Sequence, residues 1–259
     1  MQVMILCGGL GTRLREETEF RPKPMVEIGG RPILWHIMKH FAHHGLSRFV
    51  LCLGYKAGSI KDYFLRYEEA NNDFTICLGS QRKLTYHQAH QEQAFEVTLA
   101  DTGQATMTGA RVKRAARYLG PGPFLVTYGD GLADVDLGEL VRFHRSHGKL
   151  ATVTSVKPQS RFGVLELEPG GRVRAFAEKP VSEGWVNAGF FVFEPRVLDY
   201  LREDADCVLE HDPLERLAKD GELVAFRHPG FFQAMDTYRE YQLLNDLWSR
   251  GKAPWKTWD

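Results

Sequence analysis

The chain has 259 residues, of which 43% are hydrophobic and 25% are charged, a composition that can fill the core of one α/β unit. Its 33 lysines and arginines balance its 33 aspartates and glutamates, which argues against nucleic acid or a membrane surface as a partner. The N-terminus has no cationic segment ahead of its apolar run, and no apolar stretch approaches the length of a transmembrane helix. We therefore expect a cytoplasmic protein without a signal peptide.

In chain order, the first half alternates predicted strands with predicted helices. Apolar runs predict strands at 3–7, 48–53, 96–100 and 124–128, and helical spacing predicts helices at 32–45, 59–67 and 109–118. This alternation predicts an α/β fold with a Rossmann-like, mostly parallel sheet flanked by helices. Because ligands bind beyond the carboxyl ends of the strands in such sheets, we expect the functional site there.

The second half predicts antiparallel elements and a closing helix, so we expect the sheet to be mixed. Residues 163–168 and 173–178 alternate in polarity around Pro169-Gly170-Gly171, which predicts a hairpin. A strand is predicted at 187–194 and a helix at 237–250.

No linker composition or internal repeat divides the chain, so we expect a single domain over 1–259. The closing helix and the tail after it occupy 237–259. The polar stretch 79–93 fits an insertion at the edge of the sheet, which we place at 79–106 and consider a candidate subunit contact.

Neither the cysteines nor the histidines form a metal or redox motif. No Cys-x-x-Cys spacing occurs among the four cysteines, Cys7, Cys52, Cys77 and Cys207. The first three lie in apolar runs typical of strands, so we predict buried free thiols in a reducing compartment. His36 and His40 share a predicted helix, but no third ligand accompanies them, and we predict a structural role rather than zinc binding.

A glycine-rich loop directly follows the first predicted strand and reads Gly8-Gly9-Leu10-Gly11-Thr12-Arg13-Leu14. Glycines let backbone N–H groups approach a polyphosphate closely, and Arg13 adds positive charge. Lys23 stands between two prolines, which restrict the backbone around it. Leu14 replaces the third glycine of a dinucleotide fingerprint, and no Walker sequence occurs. The pattern predicts a nucleotide-phosphate loop of another type.

Two aspartates are candidate metal ligands. Asp130 lies between two glycines after the strand predicted at 124–128, and Asp236 precedes the closing helix. Carboxylate oxygens suit Mg²⁺. Taken alone, Asp130 also fits a turn residue and Asp236 a helix N-terminal acid, and the residues by themselves leave both alternatives open.

The order and spacing of these motifs resemble the sugar-phosphate nucleotidyltransferases, and most closely the glucose-1-phosphate cytidylyltransferases. The likeness runs nearly end to end and is carried by the loop and by Pro22-Lys23-Pro24-Met25, Thr127-Tyr128-Gly129-Asp130-Gly131, Arg161-Phe162-Gly163, Glu178-Lys179-Pro180 and Met235-Asp236-Thr237. It implies the nucleotide-diphospho-sugar transferase fold. It also implies the conversion of CTP and α-D-glucose 1-phosphate to CDP-glucose and pyrophosphate, which would supply CDP-glucose for the deoxysugars of surface polysaccharides.

The resemblance implies roles for residues that match the family's motifs. Asp130 and Asp236 would bind Mg²⁺, and the catalytic residues would be Arg13 on the leaving pyrophosphate, Lys23 on the α-phosphoryl group, and Asp130. The triphosphate would lie against Leu6, Gly8, Gly9, Leu10, Gly11 and Thr12. Lys179 would hold the sugar phosphate, and Thr108 and Arg111 would contact the nucleotide or the sugar phosphate. The sugar pocket would be lined by Tyr128, Gly163, Asn187 and Gly189.

Three alternatives remain open from the sequence. The same chemistry fits UTP, dTTP or GTP, or another sugar 1-phosphate, since departures from the nearest pattern, such as Ala188, border the expected sugar or base site. A non-catalytic nucleotide-sugar sensor would share the fold.

Similar enzymes are oligomers commonly built from trimers, so we expect a homo-oligomer, trimer-based and possibly a hexamer.

Overall fold

A computed structural model describes residues 1–79, 83–87, 90–92, 94–159, 162–178 and 180–258, with the backbone alone at 15 and 16. Its helices are α1 (Arg15–Thr18), α2 (Ile33–His43), α3 (Ala57–Leu65), α4 (Tyr67–Asn71), α5 (Thr108–Ala115), α6 (Leu137–His147), α7 (Asp212–Lys219) and α8 (Tyr238–Ser249). Its strands are β1 (Val3–Leu6), β2 (Glu27–Ile28), β3 (Arg31–Pro32), β4 (Arg48–Leu53), β5 (Phe74–Cys77), β6 (Lys83–Tyr86), β7 (Glu96–Asp101), β8 (Phe124–Tyr128), β9 (Gly131–Ala133), β10 (Ala151–Val156), β11 (Val164–Leu167), β12 (Val173–Ala177), β13 (Val186–Phe193), β14 (Leu223–Arg227) and β15 (Phe232–Ala234).

A seven-stranded mixed sheet in the order β14-β10-β13-β8-β1-β4-β7 forms the centre of the fold. β1 pairs in parallel with both β4 and β8, β7 extends the parallel set, and β10 pairs in parallel with β14. β13 is antiparallel to both of its neighbours. The six other strands therefore run in one direction, and their carboxyl ends lie at one edge of the sheet. This confirms the predicted mixed, mostly parallel α/β fold.

Both faces of the sheet are covered, which explains why its strands are continuous apolar runs. Along β1, Val3 and Ile5 pack into a cluster on one face, and Met4 and Leu6 pack into a cluster on the other. The first cluster includes buried residues of α2 and the C-terminal Trp255, and the second includes buried residues of α5. The sheet is thereby fixed between two apolar layers, with its strand ends free to carry a site.

Most predicted elements agree with the structure within two or three residues, and the boundaries of β4 and β8 match those predicted. One prediction about the cysteines is wrong, because Cys77 is exposed at the end of β5. β5 and β6 pair as an isolated hairpin outside the main sheet, where apolar residues need not be buried. Cys7, Cys52 and Cys207 are buried, and all four thiols are free.

His36 and His40 have the structural role expected of them. His36 donates from Nε2 to the carbonyl oxygen of Ile28 at 2.9 Å and accepts from Trp255 Nε1 at 3.4 Å. His40 Nδ1 lies 3.0 Å from the Thr257 hydroxyl. Both side chains are buried, and they tie α2 to the C-terminal segment. Among the described residues, no helix combines the length and apolarity needed to span a bilayer.

Two hairpins project from the body of the fold. The β5–β6 hairpin lies in the chain ahead of the edge strand β7, and β11 and β12 form a second two-stranded sheet. The expected insertion at 79–106 thus includes part of the first hairpin and the edge strand itself. Every residue of β11 and β12 is exposed, including the apolar side chains of Leu165, Leu167 and Phe176.

Candidate active site

A short antiparallel pairing brings the two candidate metal ligands together. β9 follows Asp130 and β15 precedes Asp236, and Gly131 pairs with Ala234 across the two strands. The Met235 N–H donates to the Asp130 carbonyl oxygen at 2.9 Å. Thr237 is the N-cap of α8, and its N–H and hydroxyl both donate to Glu240, so Asp236 lies outside the helix and is not its N-cap. Its carboxylate therefore faces the same edge of the sheet as that of Asp130.

Lys23 occupies the space between the two carboxylates. Its Nζ lies 2.6 Å from Asp130 Oδ2 and 2.7 Å from Asp236 Oδ1. Burial by itself lowers the pKa of Lys23, but the two carboxylates outweigh this effect and hold the pKa above its ordinary value. On the outer side, the guanidinium of Arg13 lies 2.9 Å from Asp236 Oδ1, with most of the Arg13 side chain exposed. Two cations and two carboxylates thus meet at the glycine loop.

The residues present fit a divalent cation. The Lys23 ammonium lies where such an ion would bind, because one oxygen from each of the two carboxylates contacts it. Within the described part of the chain, no cluster of three or more His, Cys, Asp or Glu side chains is arranged to hold a metal. A pair of hard oxygen ligands leaves the remaining coordination positions to water and substrate phosphates, as Mg²⁺ usually has them.

The buried side chain of Arg111 supports the glycine loop from the interior of the protein. This guanidinium donates to the carbonyl oxygen of Gly8 at 2.9 Å, of Leu53 at 2.9 Å and of Gly103 at 2.8 Å. These carbonyls follow or end β1, β4 and β7. A Cβ at Gly8 would lie 2.1 Å from the Arg111 guanidinium carbon, so any larger residue there would displace the guanidinium from these carbonyls. Arg111 is 3% exposed and supports the loop through Gly8, and the contact with the nucleotide or the sugar phosphate that we expected of it stays a prediction.

The outer part of the loop is open. Gly9, Leu10, Thr12 and Arg13 are exposed, and Gly11 has a φ of +65° that favours glycine. The Thr18 hydroxyl lies 3.0 Å from the Gly11 carbonyl oxygen and 2.7 Å from that of Leu14, which fixes the turn. The backbone N–H groups of an exposed, fixed turn can receive phosphate oxygens.

A polar group lies beside Asp130 on the side of β13. Tyr128 ends β8, and its hydroxyl donates to Glu210. Asn187 Nδ2 lies 3.4 Å from the same hydroxyl, and the Gly189 N–H donates to Asn187 Oδ1 at 2.7 Å. Thr108, the first residue of α5, donates to Glu210 Oε2 at 2.6 Å. Burial, and then the neighbouring Glu210, raise the pKa of Tyr128, so it stays protonated at neutral pH.

The structure brings most of the predicted site residues to this edge of the sheet. Leu6 is the last residue of β1, and its side chain is buried in the core, so only its backbone adjoins the loop. Gly163 lies at the base of β11 near Phe176 and Glu178. Lys179 lies outside the described residues, as does Arg161, and the role expected of Lys179 stays a prediction.

Sequence reasoning missed Glu210, which joins Thr108 to Tyr128. Its position two residues before α7 gives it the pattern of an ordinary acidic residue near a helix start. Nothing in the local pattern distinguishes such a residue from one that faces a site. The contact depends on two partners that are distant in the chain, and only the fold brings them together.

This fold and this convergence of glycine loop, lysine and paired carboxylates define a nucleotide-phosphate-binding α/β protein. The family model described as nucleotidyl transferase matches residues 2–226, and the chain belongs to this family. Enzymes of this family generally use a divalent metal ion.

Two of the curated relatives match over their whole length. The chain is 50% identical to a glucose-1-phosphate cytidylyltransferase of Salmonella typhi, with 100% of each protein covered. It is 45% identical to a probable glucose-1-phosphate cytidylyltransferase of Bacillus subtilis, again with 100% of each covered. Among solved structures, a putative glucose-1-phosphate thymidylyltransferase of Bacillus anthracis superposes with a TM-score of 0.70 at 19% identity, covering 95% of this chain and 94% of that one. At that identity the likeness supports the fold alone.

Proposed function

We propose that the protein is a glucose-1-phosphate cytidylyltransferase. It converts CTP and α-D-glucose 1-phosphate to CDP-glucose and pyrophosphate, with Mg²⁺ as its metal ion. The observation that supports this class of reaction is that Asp130 and Asp236 both contact the Lys23 ammonium beside the glycine loop. The choice of CTP and glucose 1-phosphate rests on the full-length relatives at 50% and 45% identity.

The reaction needs positioning and charge neutralisation more than a protein nucleophile. A phosphate oxygen of the sugar 1-phosphate attacks the α-phosphorus, a new P–O bond forms, and the bond to the β-phosphate oxygen breaks to release pyrophosphate. The attacking oxygen is already anionic, so no strong general base is required. Burial raises the pKa of the Cys7 thiol beside the loop and that of Cys52 to about 12, so neither serves as a nucleophile at neutral pH.

The loop would receive the triphosphate. Backbone N–H groups from Gly8 to Thr12 would bind phosphate oxygens, and Arg13, exposed at the rim, would pair with the leaving pyrophosphate. A Mg²⁺ ion held by Asp130 and Asp236 would supply further charge neutralisation on the phosphates. Lys23 would then pair with the α-phosphoryl group, where negative charge builds in the transition state.

The sugar 1-phosphate would bind on the side of β13. Lys179 would hold its phosphate, and the sugar would lie against Tyr128, Asn187, Gly189 and Gly163. Supporting this placement, Tyr128 ends β8 and Asp130 lies two residues further on, so a sugar beside Tyr128 keeps its phosphate near the proposed metal ligands.

The first test is pyrophosphate release with Mg²⁺ and glucose 1-phosphate, offering CTP, UTP, dTTP, GTP and ATP separately. Strong preference for CTP supports the proposal. Release with another nucleotide would keep the reaction type but change the nucleotide that the protein uses. Nucleotide binding without release for any pair, after a screen of other sugar 1-phosphates, would favour a non-catalytic sensor. A parallel series with Mn²⁺, Ca²⁺ and no metal tests the assignment of Mg²⁺.

We further propose a homo-oligomer, built from trimers and possibly hexameric, in a cytoplasmic setting that suits four free cysteines. An isolated two-stranded hairpin is marginally stable in water, yet β11 and β12 expose apolar residues on both faces. A second copy of the chain would cover them. Light scattering that finds only a monomer would contradict this assignment.

A further inference from the structure

Glu210 connects two elements that border the proposed substrates. Its Oε2 accepts from the Thr108 hydroxyl at 2.6 Å, and its Oε1 accepts from the Tyr128 hydroxyl. Thr108 begins α5, whose Arg111 supports the glycine loop, and Tyr128 ends β8, two residues before Asp130. The carboxylate is half-buried, and no motif of the sequence pointed to it.

The direction of each hydrogen bond in this group follows from valence. A carboxylate has only lone pairs, so both hydroxyls must donate to it. Thr108 in turn accepts from the Leu209 N–H at 2.9 Å. The Gly189 N–H fixes Asn187 Oδ1 as an acceptor, so Nδ2 is the end of the amide that faces the Tyr128 hydroxyl as a donor. The only proton of the Tyr128 hydroxyl is therefore used on Glu210.

The Tyr128 ring has little freedom to change this arrangement. Gly189 has a φ of +78°, and a Cβ there would lie 2.1 Å from the ring. Phe191 contacts the ring edge-on, with centroids 6.2 Å apart. Because the Tyr128 ring is fixed and its hydroxyl proton is donated to Glu210, Tyr128 can offer a ligand only a lone pair of its oxygen.

We propose that Glu210 is a positioning residue that makes the Tyr128 hydroxyl a hydrogen-bond acceptor toward the sugar, so that the site selects a sugar hydroxyl able to donate. The inference rests on the proposed function, which places the sugar 1-phosphate beside Tyr128. A site built to accept a hydrogen bond discriminates against an analogue that cannot donate one, because the Tyr128 oxygen then keeps only its long 3.4 Å contact with Asn187 Nδ2.

Deoxyfluoro sugars test this directly, since fluorine is close to a hydroxyl in size but cannot donate. We would measure KM and kcat for glucose 1-phosphate and for its 2-, 3-, 4- and 6-deoxyfluoro analogues at saturating CTP. For the unmodified protein, one analogue should show a KM raised about tenfold or more. In Tyr128→Phe that ratio should fall to about one.

The decisive variant is Glu210→Gln, in which the amide can donate to the tyrosine oxygen and release its proton toward the ligand. The ratio of the KM for the fluorinated analogue to the KM for glucose 1-phosphate should fall several-fold, while the KM for CTP changes little. Glu215→Gln, an exposed acid-to-amide change on α7, is the matched control and should keep the full ratio. Melting temperatures establish that each variant is folded, and Tyr128→Phe carries the test if Glu210→Gln is not.

Each outcome decides the matter. Turnover of glucose 1-phosphate without discrimination among the analogues, or discrimination that survives Tyr128→Phe or Glu210→Gln, would overturn this inference and leave the proposed function standing. No turnover of glucose 1-phosphate by the unmodified protein would overturn both.

Discussion

Lys23 Nζ and Asp236 Oδ1 are 2.7 Å apart in space and 213 residues apart in sequence. The lysine comes from the segment after the glycine loop, and the aspartate from the segment that leads into the last helix. Asp130 contacts the same ammonium from the middle of the chain. The charge balance of the site therefore depends on three distant segments, and it can be changed from any of them.

We predict that Lys23→Met lowers kcat about 100-fold or more, because its contact with the α-phosphoryl group strengthens in the transition state. It also leaves two carboxylates facing each other, so the protein should lose about 2 kcal/mol of stability without metal. Added Mg²⁺ should raise the melting temperature of this variant more than that of the unmodified protein. Lys219→Met, at an exposed position on α7, is the control. If Mg²⁺ raised the melting temperatures of Lys23→Met and the unmodified protein equally, the metal would not bind where the Lys23 ammonium lies.

Asp130→Asn should reduce kcat by about 100-fold or more with a small change in melting temperature, because the acid serves the metal rather than the core. Its affinity for Mn²⁺, measured by titration calorimetry, should fall about 10-fold or more. Asp199→Asn, at an exposed site, should change neither quantity. Near-normal turnover in Mg²⁺ would remove Asp130 from the metal site.

Arg111→Met should destabilise the protein by about 2–4 kcal/mol, because it leaves several carbonyl oxygens without their buried donor. The KM for CTP should rise, since the glycine loop loses its support. Arg117→Met, an exposed arginine close in the chain, should stay within about 0.5 kcal/mol. If Arg111→Met folds normally and changes only the KM for sugar phosphate, the guanidinium acts on that ligand and not on the loop.

Gly189→Ala and Gly221→Ala separate backbone strain from a steric clash. Both glycines have positive φ, +78° and +70°, so backbone strain alone should cost each variant about 1–2 kcal/mol. Only at Gly189 does the new Cβ meet a side chain, the Tyr128 ring; nothing lies within 4 Å at Gly221. We expect the KM for sugar phosphate to rise in Gly189→Ala alone. A similar KM in the two variants would separate Tyr128 from the sugar pocket.

Stability should fall with acid because of two buried histidines. Burial lowers the pKa of His36 to about 4 and that of His40 to about 3, against 6.5 for the ordinary side chain. The unfolded chain therefore binds protons first as pH falls. Stability from these groups is fully present above pH 6.5 and is lost toward pH 4 and 3, at about 1.4 kcal/mol per pH unit for each group.

Urea unfolding at pH 7, 5.5 and 4.5 measures this dependence. His36→Gln should reduce the slope of stability against pH, and His43→Gln, at an exposed position, should leave it unchanged. An unchanged slope in His36→Gln would show that other groups control the acid response.

The parts of the fold that were predictable are those in which one physical requirement determines the pattern. Strands buried on both faces must be apolar throughout, so β4 and β8 were predicted to the residue. Strand order and the antiparallel direction of β13 depend on contacts distant in the chain, which periodicity does not encode. Cys77 was misassigned because an apolar run in an exposed hairpin looks the same as one in the sheet.

The candidate site shows the same division. The glycine loop could be interpreted from its own residues, because the chemistry of phosphate binding is local. The nearness of Asp130 to Asp236 came only from family resemblance, since the two paired strands that create it, β9 and β15, are three residues long. Arg111 was expected to contact the nucleotide or the sugar phosphate, and its hydrogen bond to the Gly8 carbonyl was not predictable because a sequence does not show which way a side chain points.

The late position of Asp236 in the chain also has a consequence for biosynthesis. The glycine loop, Lys23 and Asp130 leave the ribosome well before Asp236, so the β9–β15 pairing that brings the two proposed metal ligands together forms only after Asp236 has been synthesised. A prematurely terminated polypeptide would retain the phosphate loop with a single carboxylate. Such a fragment would carry the glycine loop but lack the second proposed metal ligand, so the proposed reaction requires synthesis at least through Asp236.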